Sequence, residues 1–499
     1  MGMKKMSLIY QAGALNTTAL TVPNLYVQIA QPQALSLAGA VSSRLGIVGT
    51  ASWGPVGVPV TLGSMADYAA AFGPKQKRIT DAGVALNIAA MQGASVFSVV
   101  RVTDGSDSAA TATLEGVTLQ AVCTGAAGNA INAAVTVTGS GFALSVSHPV
   151  LGSASYAGED WFSLETAVGQ DLSALVKIIL PATVPALAVG NVVLSGGGDG
   201  GVPSASACVG QDGVVRTGLY ALRGQGCSVG LVQGVTDSTL WAAQAAFGAS
   251  EGIYMITSTQ VSDTVSNAVA VKAASGVDSV ALKVMFGDWL YWNDDTYGMM
   301  LVSAQAFAGG MLAALSPEQS SLNKPLAGVI GSQKAGLNGG STSYSTAELS
   351  TLFTAGLDVI CNPAPGGAYW AVRCGHNSSS KSVINSDAYT RLTNYLAASL
   401  AGGMGRYVGQ VINDTLFGDI RATLLGFLSS LLGQGILGRQ GGVLPYSVVC
   451  DATNNPQART ALGYVQADIA VRYQGINEKF VVNLQGGSSV SVSTLGGSV

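Results

Sequence analysis

Residues 229–286 read VGLVQGVTDSTLWAAQAAFGASEGIYMITSTQVSDTVSNAVAVKAASGVDSVALKVMF. Three short apolar runs, Val229 to Gln233, Ile253 to Thr257 and Val280 to Phe286, read as strands. Between them, Asp237 to Phe247 and Val261 to Ala274 read as helices, and an apolar helix over 299–315 follows. Strands that alternate with helices of this length predict a mostly parallel sheet flanked by helices.

The same character appears upstream. Leu45 to Thr50 is a buried strand, broken by the turn Trp53-Gly54-Pro55, and Val58 to Leu62 resumes β character. Ser64-Met65-Ala66-Asp67 has the spacing of a capping box, and its helix stops at Gly73-Pro74. A second helix runs from Thr80 to Gln92, and Val96 to Val102 is again a strand. From Asp104 to about Gly213 the chain turns rich in Ala, Gly, Val, Thr and Ser, with scarce helical periods, as expected of a β-rich insertion. Ala327 to Tyr344 is a polar connection, and Ser345-Thr346-Ala347-Glu348 opens a helix. Further on, Ser386–Leu400 and Leu416–Leu432 are helical, and Val443–Cys450, Tyr464–Tyr473 and Ile476–Leu484 are strands. The fold class is therefore multidomain α/β. An N-terminal arm (1–22) leads into an α/β core in two parts (23–103 and 213–371). That core carries an inserted β-rich domain (104–212). An α+β C-terminal domain (372–484) and a C-terminal arm (485–499) follow.

Composition narrows the function. Charged residues are 10% of the 499, against about 25% in ordinary soluble domains. Interface cores are depleted of charge, so the low figure implies surface covered by other subunits. The net charge is −4, and the one basic cluster is Lys75, Lys77 and Arg78, too little to neutralise a nucleic acid backbone. Mean hydropathy is +0.40. The uncharged stretch Tyr297 to Ser316 could just span a bilayer, but it carries Gln305 and three glycines and lacks basic flanks, so membrane insertion is not expected. No 7–15-residue apolar core follows Lys4 and Lys5, so a secretory signal is not expected either. Two histidines and six cysteines without a C-x-x-C pair argue against a zinc site, and buried free thiols are expected.

Catalytic patterns fail on context. Gly248-Ala249-Ser250-Glu251-Gly252 matches G-x-S-x-G, but a helix precedes it and a strand follows, the reverse of a nucleophile elbow. Gly433-Gln434-Gly435-Ile436-Leu437-Gly438 matches G-x-G-x-x-G but follows a helix, with no βαβ unit around it. Asn293-Asp294-Asp295 is expected to be a solvated turn, and His376 near Asp387 a polar loop histidine. No enzyme, cofactor or metal is expected; a hydrolase using Ser250 or His376 is the remote alternative.

Several segments together resemble the tail sheath proteins of contractile bacteriophage tails. They begin with Pro23-Asn24-Leu25-Tyr26-Val27-Gln28-Ile29, similar to that family's opening strand, and Gly46-Ile47-Val48-Gly49-Thr50-Ala51. Arg101, the turn Gly125 to Asn129, Gly309-Gly310-Met311 and Pro325-Leu326-Ala327-Gly328 follow in order. Gly356-Leu357-Asp358-Val359-Ile360, Tyr389 to Leu400, Asp451 with Asn454 and Asn455, and Gly463 to Asn483 complete the series. Asp358 stands where the family usually has Asn.

The resemblance implies a structural subunit of a virion tail, assembled in the host cytoplasm. Such subunits polymerise as six-fold rings in a helix around a tail tube. The sheath contracts to drive the tube through the host envelope for genome ejection. A phage tail-like bacteriocin or related contractile injection particle is the alternative. Its partners would be copies of itself, the tail tube protein, and baseplate and tail terminator proteins, with no nucleic acid and no membrane insertion. Strand exchange between subunits would use Leu25, Tyr26, Val27, Gln28 and Ile29 at one end and Phe480, Val482 and Leu484 at the other. Asp419 and Arg421, on the longest amphipathic helix of the C-terminal domain, are the candidates for facing the tube. Cys123 and Cys208 are the candidates for an intersubunit disulfide.

Overall fold

The computed structural model describes residues 37–139, 141–337 and 344–484, together with the backbone of 9–12 and 26–29. Its described residues form two compact units, 40–398 with 473–484, and 9–12, 26–29 and 37–39 with 399–472.

A seven-stranded sheet organises the large unit. Its order is Leu357–Asp358, Leu282–Met285, Tyr254–Ser258, Val229–Val232, Arg44–Gly49, Val96–Arg101 and Pro59–Leu62. All neighbours are parallel except the last pair. Val229 is in register with Leu45, and Leu45 with Phe97. Because successive strand side chains point to opposite faces, Leu45, Ile47, Val229, Leu231, Tyr254 and Ile256 enter one core, while Val48, Val232 and Met255 enter the other. Both faces are covered, which is why the strands read as continuous apolar runs.

Helices Ala82–Met91 and Gln305–Ala314 cover the first face, and Trp241–Glu251 packs on the second. The first two helices touch closely at Gly310, where a Cβ would stand 2.5 Å from Ala89 Cα. The uncharged stretch Tyr297–Ser316 divides into a strand, Gly298–Val302, and this core helix. Gln305 is fully buried and satisfied: its amide nitrogen donates to the Val232 and Ile256 carbonyls at 3.1 and 3.2 Å, and its oxygen accepts from Gly234 N at 3.1 Å.

The β-rich segment forms two antiparallel sheets. One joins Gly152–Gly158, Gly141–His148, Asn132–Thr138 and Gly190–Val193; the other joins Val176–Ile179, Val117–Ala121 and Thr111–Leu114. A helix, Trp161–Gln170, packs with them, capped by Asp160 and Ser163, which the β-rich reading of this segment overlooked. The two connections to this segment run side by side, bridged at Ser108 with Gly198 and at Thr111 with Ser195. The short helix Ala205–Val209 instead buries Cys208 with Leu219 and Leu222 in the second core of the large sheet. The segment with its own core is thus shorter than 104–212.

Asn293-Asp294-Asp295 is a corrected expectation. Asp294 is buried, 2.7 Å from Lys75 Nζ, which also contacts Asp295; Asn293 and Asp295 are exposed. The basic cluster is likewise divided, with Lys75 buried and Arg78 paired with Asp81 and Asp199.

The small unit holds the helix Asp414–Gly433, an antiparallel pair, Tyr446–Val449 with Asp468–Val471, and a parallel pair, Ile9–Ala12 with Tyr26–Ile29. The helix buries Leu416, Phe417, Ile420, Leu424, Phe427, Leu428 and Leu431, one face at helical spacing. Among the described residues it is the one helix long and apolar enough to cross a membrane.

Candidate functional site

The small unit carries an apolar groove of about 690 Å³. Leu400, Met404, Leu416, Ile420 and Leu424 line it from the helices, Val465 and Ala467 from the chain leading into the strand Asp468–Val471, and Ile469 from that strand. That strand has one described partner, Tyr446–Val449, in a two-stranded sheet. A two-stranded sheet is marginal alone, and here side chains clamp it. Asn454 Nδ2 donates to the Val449 carbonyl and to Asp468 Oδ2, both at 2.9 Å, and Asn455 exchanges hydrogen bonds with the Gln466 backbone at 2.9 and 2.6 Å. Asp451 caps the turn through Thr453 N at 2.9 Å. The clamp preserves a hairpin whose outer edges remain without strand partners among the described residues, the usual template for pairing with another chain.

The predicted exchange residues fall in different places. Tyr26–Ile29 is a strand in parallel register with Ile9–Ala12, Tyr26 opposite Ile9 and Ile29 opposite Ala12; Leu25 lies outside the described residues, as do 1–8 and 485–499 of the predicted arms. Ile476–Leu484, read as a strand, pairs with no strand among the described residues. Phe480, Val482 and Leu484 are 82%, 68% and 88% exposed. Asp419 and Arg421 both lie on the exposed face of the helix Asp414–Gly433. Cys123 is half-buried and Cys208 is buried, both as free thiols; burial pushes the Cys208 thiol up to about 11. Cys208 is therefore not presented to a neighbouring chain.

The residues tested for catalysis have other work. Ser250 sits in the last turn of the helix Trp241–Glu251 and donates to the Phe247 carbonyl at 2.9 Å. Asp387 does not address His376. It accepts from Tyr254 Oη at 2.6 Å, from Ser321 and from Lys283, which is fully buried 2.6 Å from Asp358. His376 hydrogen-bonds Glu478 and Asn385 instead. Among the described residues no group of three or more His, Cys, Asp and Glu is placed to hold a metal. The groove and the Lys283 cluster were both missed from sequence. The available signal for the second was a lysine inside the apolar run Ala281-Leu282-Lys283-Val284-Met285.

Comparison with known proteins agrees with this architecture. Residues 42–102 match the family model of the tail sheath protein Gp18 domain III N-terminal region. No curated protein matches the chain by sequence. The fold is similar to the crystal structure of the sheath tail protein of Listeria innocua, at 14% identity and TM-score 0.62, covering 84% of this chain and 90% of that one. It is also similar to the sheath of an extracellular contractile injection system in the contracted state, at 12% identity and TM-score 0.55 over 95% and 99% of the two chains. The helical sheath of the anti-feeding prophage, contracted, gives 12% identity and TM-score 0.53 over 93% and 99%. The domain match and the shared fold, with the ordered motifs of the sequence, lead to one conclusion: residues 42–102 match a tail sheath domain, and the chain has the fold of contractile tail sheath proteins.

Proposed function

We propose that this protein is the repeating subunit of a contractile sheath, built as six-fold rings in a helix around an inner tube and shortening to drive that tube through a cell envelope. The observation that carries the reading is the unfinished two-stranded sheet beside an apolar groove, in a chain whose end segment exposes Phe480, Val482 and Leu484. A helical polymer needs heterologous contacts that do not close, and exchanged strands keep neighbours joined while other interfaces re-pack between two arrangements. Leu25–Ile29 of one subunit adds to the Tyr446–Val449 and Asp468–Val471 sheet of another. Each backbone hydrogen bond so made contributes about 0.5–1.5 kcal/mol, repeated at every lattice point. The exposed Asp419 and Arg421 face the tube, and the β-rich segment projects outward.

Two settings suit such a subunit, a phage tail that ejects a genome and a tail-like injection particle. The second is favoured by the likeness to the sheaths of the extracellular injection system and the anti-feeding prophage. Purified protein viewed in negative stain is expected to show striated tubes. Deleting residues 1–30 is expected to leave a folded, soluble subunit that forms none. Tubes of normal length from the truncated chain, or its unfolding, would remove strand exchange at this end.

A further inference from the structure

Within the large unit, Tyr473 and Glu478 both anchor the segment 473–484. The Tyr473 ring packs against Tyr389 with centroids 5.8 Å apart, and its hydroxyl lies 3.0 Å from Thr393 Oγ1. Further along, Glu478 Oε1 lies 2.8 Å from His376 Nε2. Beyond that contact, Lys479 to Leu484 are exposed.

His376 is itself held from below. Its carbonyl accepts from Lys283 Nζ at 2.9 Å. Lys283 is fully buried and pairs with Asp358 at 2.6 Å and Asp387 at 3.2 Å. Asp358 accepts from Cys374 N and Gly375 N at 2.9 and 2.8 Å, fixing the backbone just ahead of His376. Asp387 is the first residue of the helix Asp387–Met404. On the ring, the Asn385 amide nitrogen lies 3.3 Å from Nδ1. With the amide assigned in that orientation the nitrogen can only donate, so Nδ1 accepts and the ring proton sits on Nε2, aimed at Glu478.

We propose that His376 is the mount of the C-terminal segment, a positioning residue seated on the Lys283–Asp358–Asp387 cluster that fixes where Lys479 to Leu484 leave the subunit. A buried ion cluster contributes little net stability, and fixing one conformation is its better-attested use. Held only at Tyr473, the eleven residues to Leu484 could sweep a radius of about 38 Å; held at Glu478, the last six reach about 20 Å. Shortening the free chain raises the effective concentration of its end at a neighbouring sheet and lowers the ordering cost of pairing there. This rests on the reading that the end segments join subunits.

Hydrogen exchange on the unpolymerised subunit tests the mount apart from that reading. In His376→Ala, amides 474–480 are expected to exchange about tenfold faster, with the strand Tyr254–Ser258 unchanged. Glu478→Ala, on an exposed residue that cannot unfold the core, is expected to give the same increase, and the double variant no more. Glu478→Gln, whose carbonyl oxygen still accepts the Nε2 proton, is expected to keep wild-type protection. His376→Ala tubes should form about tenfold more slowly. Wild-type protection of 474–480 in both alanine variants would overturn the proposal. Failure of the wild-type protein to form tubes would overturn the sheath reading and leave the exchange result standing.

Discussion

The two units solve the problem of sheet edges in opposite ways. In the seven-stranded sheet, five strands have partners on both sides, both faces are covered, and Leu45, Ile47, Val229, Leu231, Ile256 and Leu282 are wholly buried. Two of the polar side chains buried with it are matched, Gln305 across the strand ends and Lys283 between two carboxylates. The small unit has a sheet of two strands, a groove beside it, and Val465 and Ile469 only half-buried. A chain that closed both regions could not be linked through its strands, and one that closed neither would not fold. The large unit pairs most of its strands within itself, and under the proposed sheath reading the small unit is the part that another chain completes.

The largest expected effect breaks the closed region. Asp358→Ala leaves Lys283 buried with one carboxylate and strips the acceptor from Cys374 N and Gly375 N. A loss of about 3–5 kcal/mol is expected from denaturant unfolding, and a loss under 1 kcal/mol would mean that water reaches the cluster. The next effect depends on pH. Asp81 caps the helix Ala82–Met91 through Gly83 N and Val84 N, and burial pushes its carboxyl up to about 7 from 3.8. Between those pH values the folded state holds a proton that the unfolded state has released. The contribution to stability is therefore present at low pH and lost as pH rises through about 7. Asp81→Asn keeps a cap acceptor and removes the titration, so its urea midpoint should change less between pH 5.5 and 7.5 than the wild type's; equal changes would refute the assignment.

Smaller effects on the subunit sharpen the contrast with the open region. Ile469→Ser, in the groove, is expected to change subunit stability by less than about 1 kcal/mol and yet to abolish tubes in negative stain. Normal tubes from this variant would show that the groove is not an assembly surface. Least of all, exchanging the exposed charges by Asp419→Lys with Arg421→Glu is expected to alter stability by no more than about 0.5 kcal/mol. Co-expressed with the tube protein, that variant should give sheaths empty of tube, because charge pairs set register more than affinity. Tube-filled sheaths of normal length would remove these residues from the tube face.

Much of the large unit was readable from local pattern. Val229–Val232 and Leu45–Gly49 are apolar on consecutive residues because both faces are covered, and Ser345 with Glu348 forms the capping box its spacing implies. The Ser64 box is half present: Ser64 caps Asp67 N, but the Asp67 carboxylate turns to Gly63 N. Uncharged runs were harder, since Gly298–Val302 and Gln305–Ala314 share a composition and the junction carries no charge to mark it. The helix Trp161–Gln170 was overlooked for its β-rich surroundings.

By itself the sequence determined the α/β alternation, the helix starts and the absence of a recognisable catalytic pattern, because these depend on residues within a few positions of one another. Tertiary structure alone decided that Lys75 meets Asp294 across 219 residues, that Lys283 meets Asp358 and Asp387 across 75 and 104, and that Glu478 meets His376 across 102. It also decided which sheet is closed and which is left with open edges. Each of these is a pairing between distant parts of the chain, and it exists only when folding brings the two partners to one place and excludes the water that would otherwise satisfy them separately.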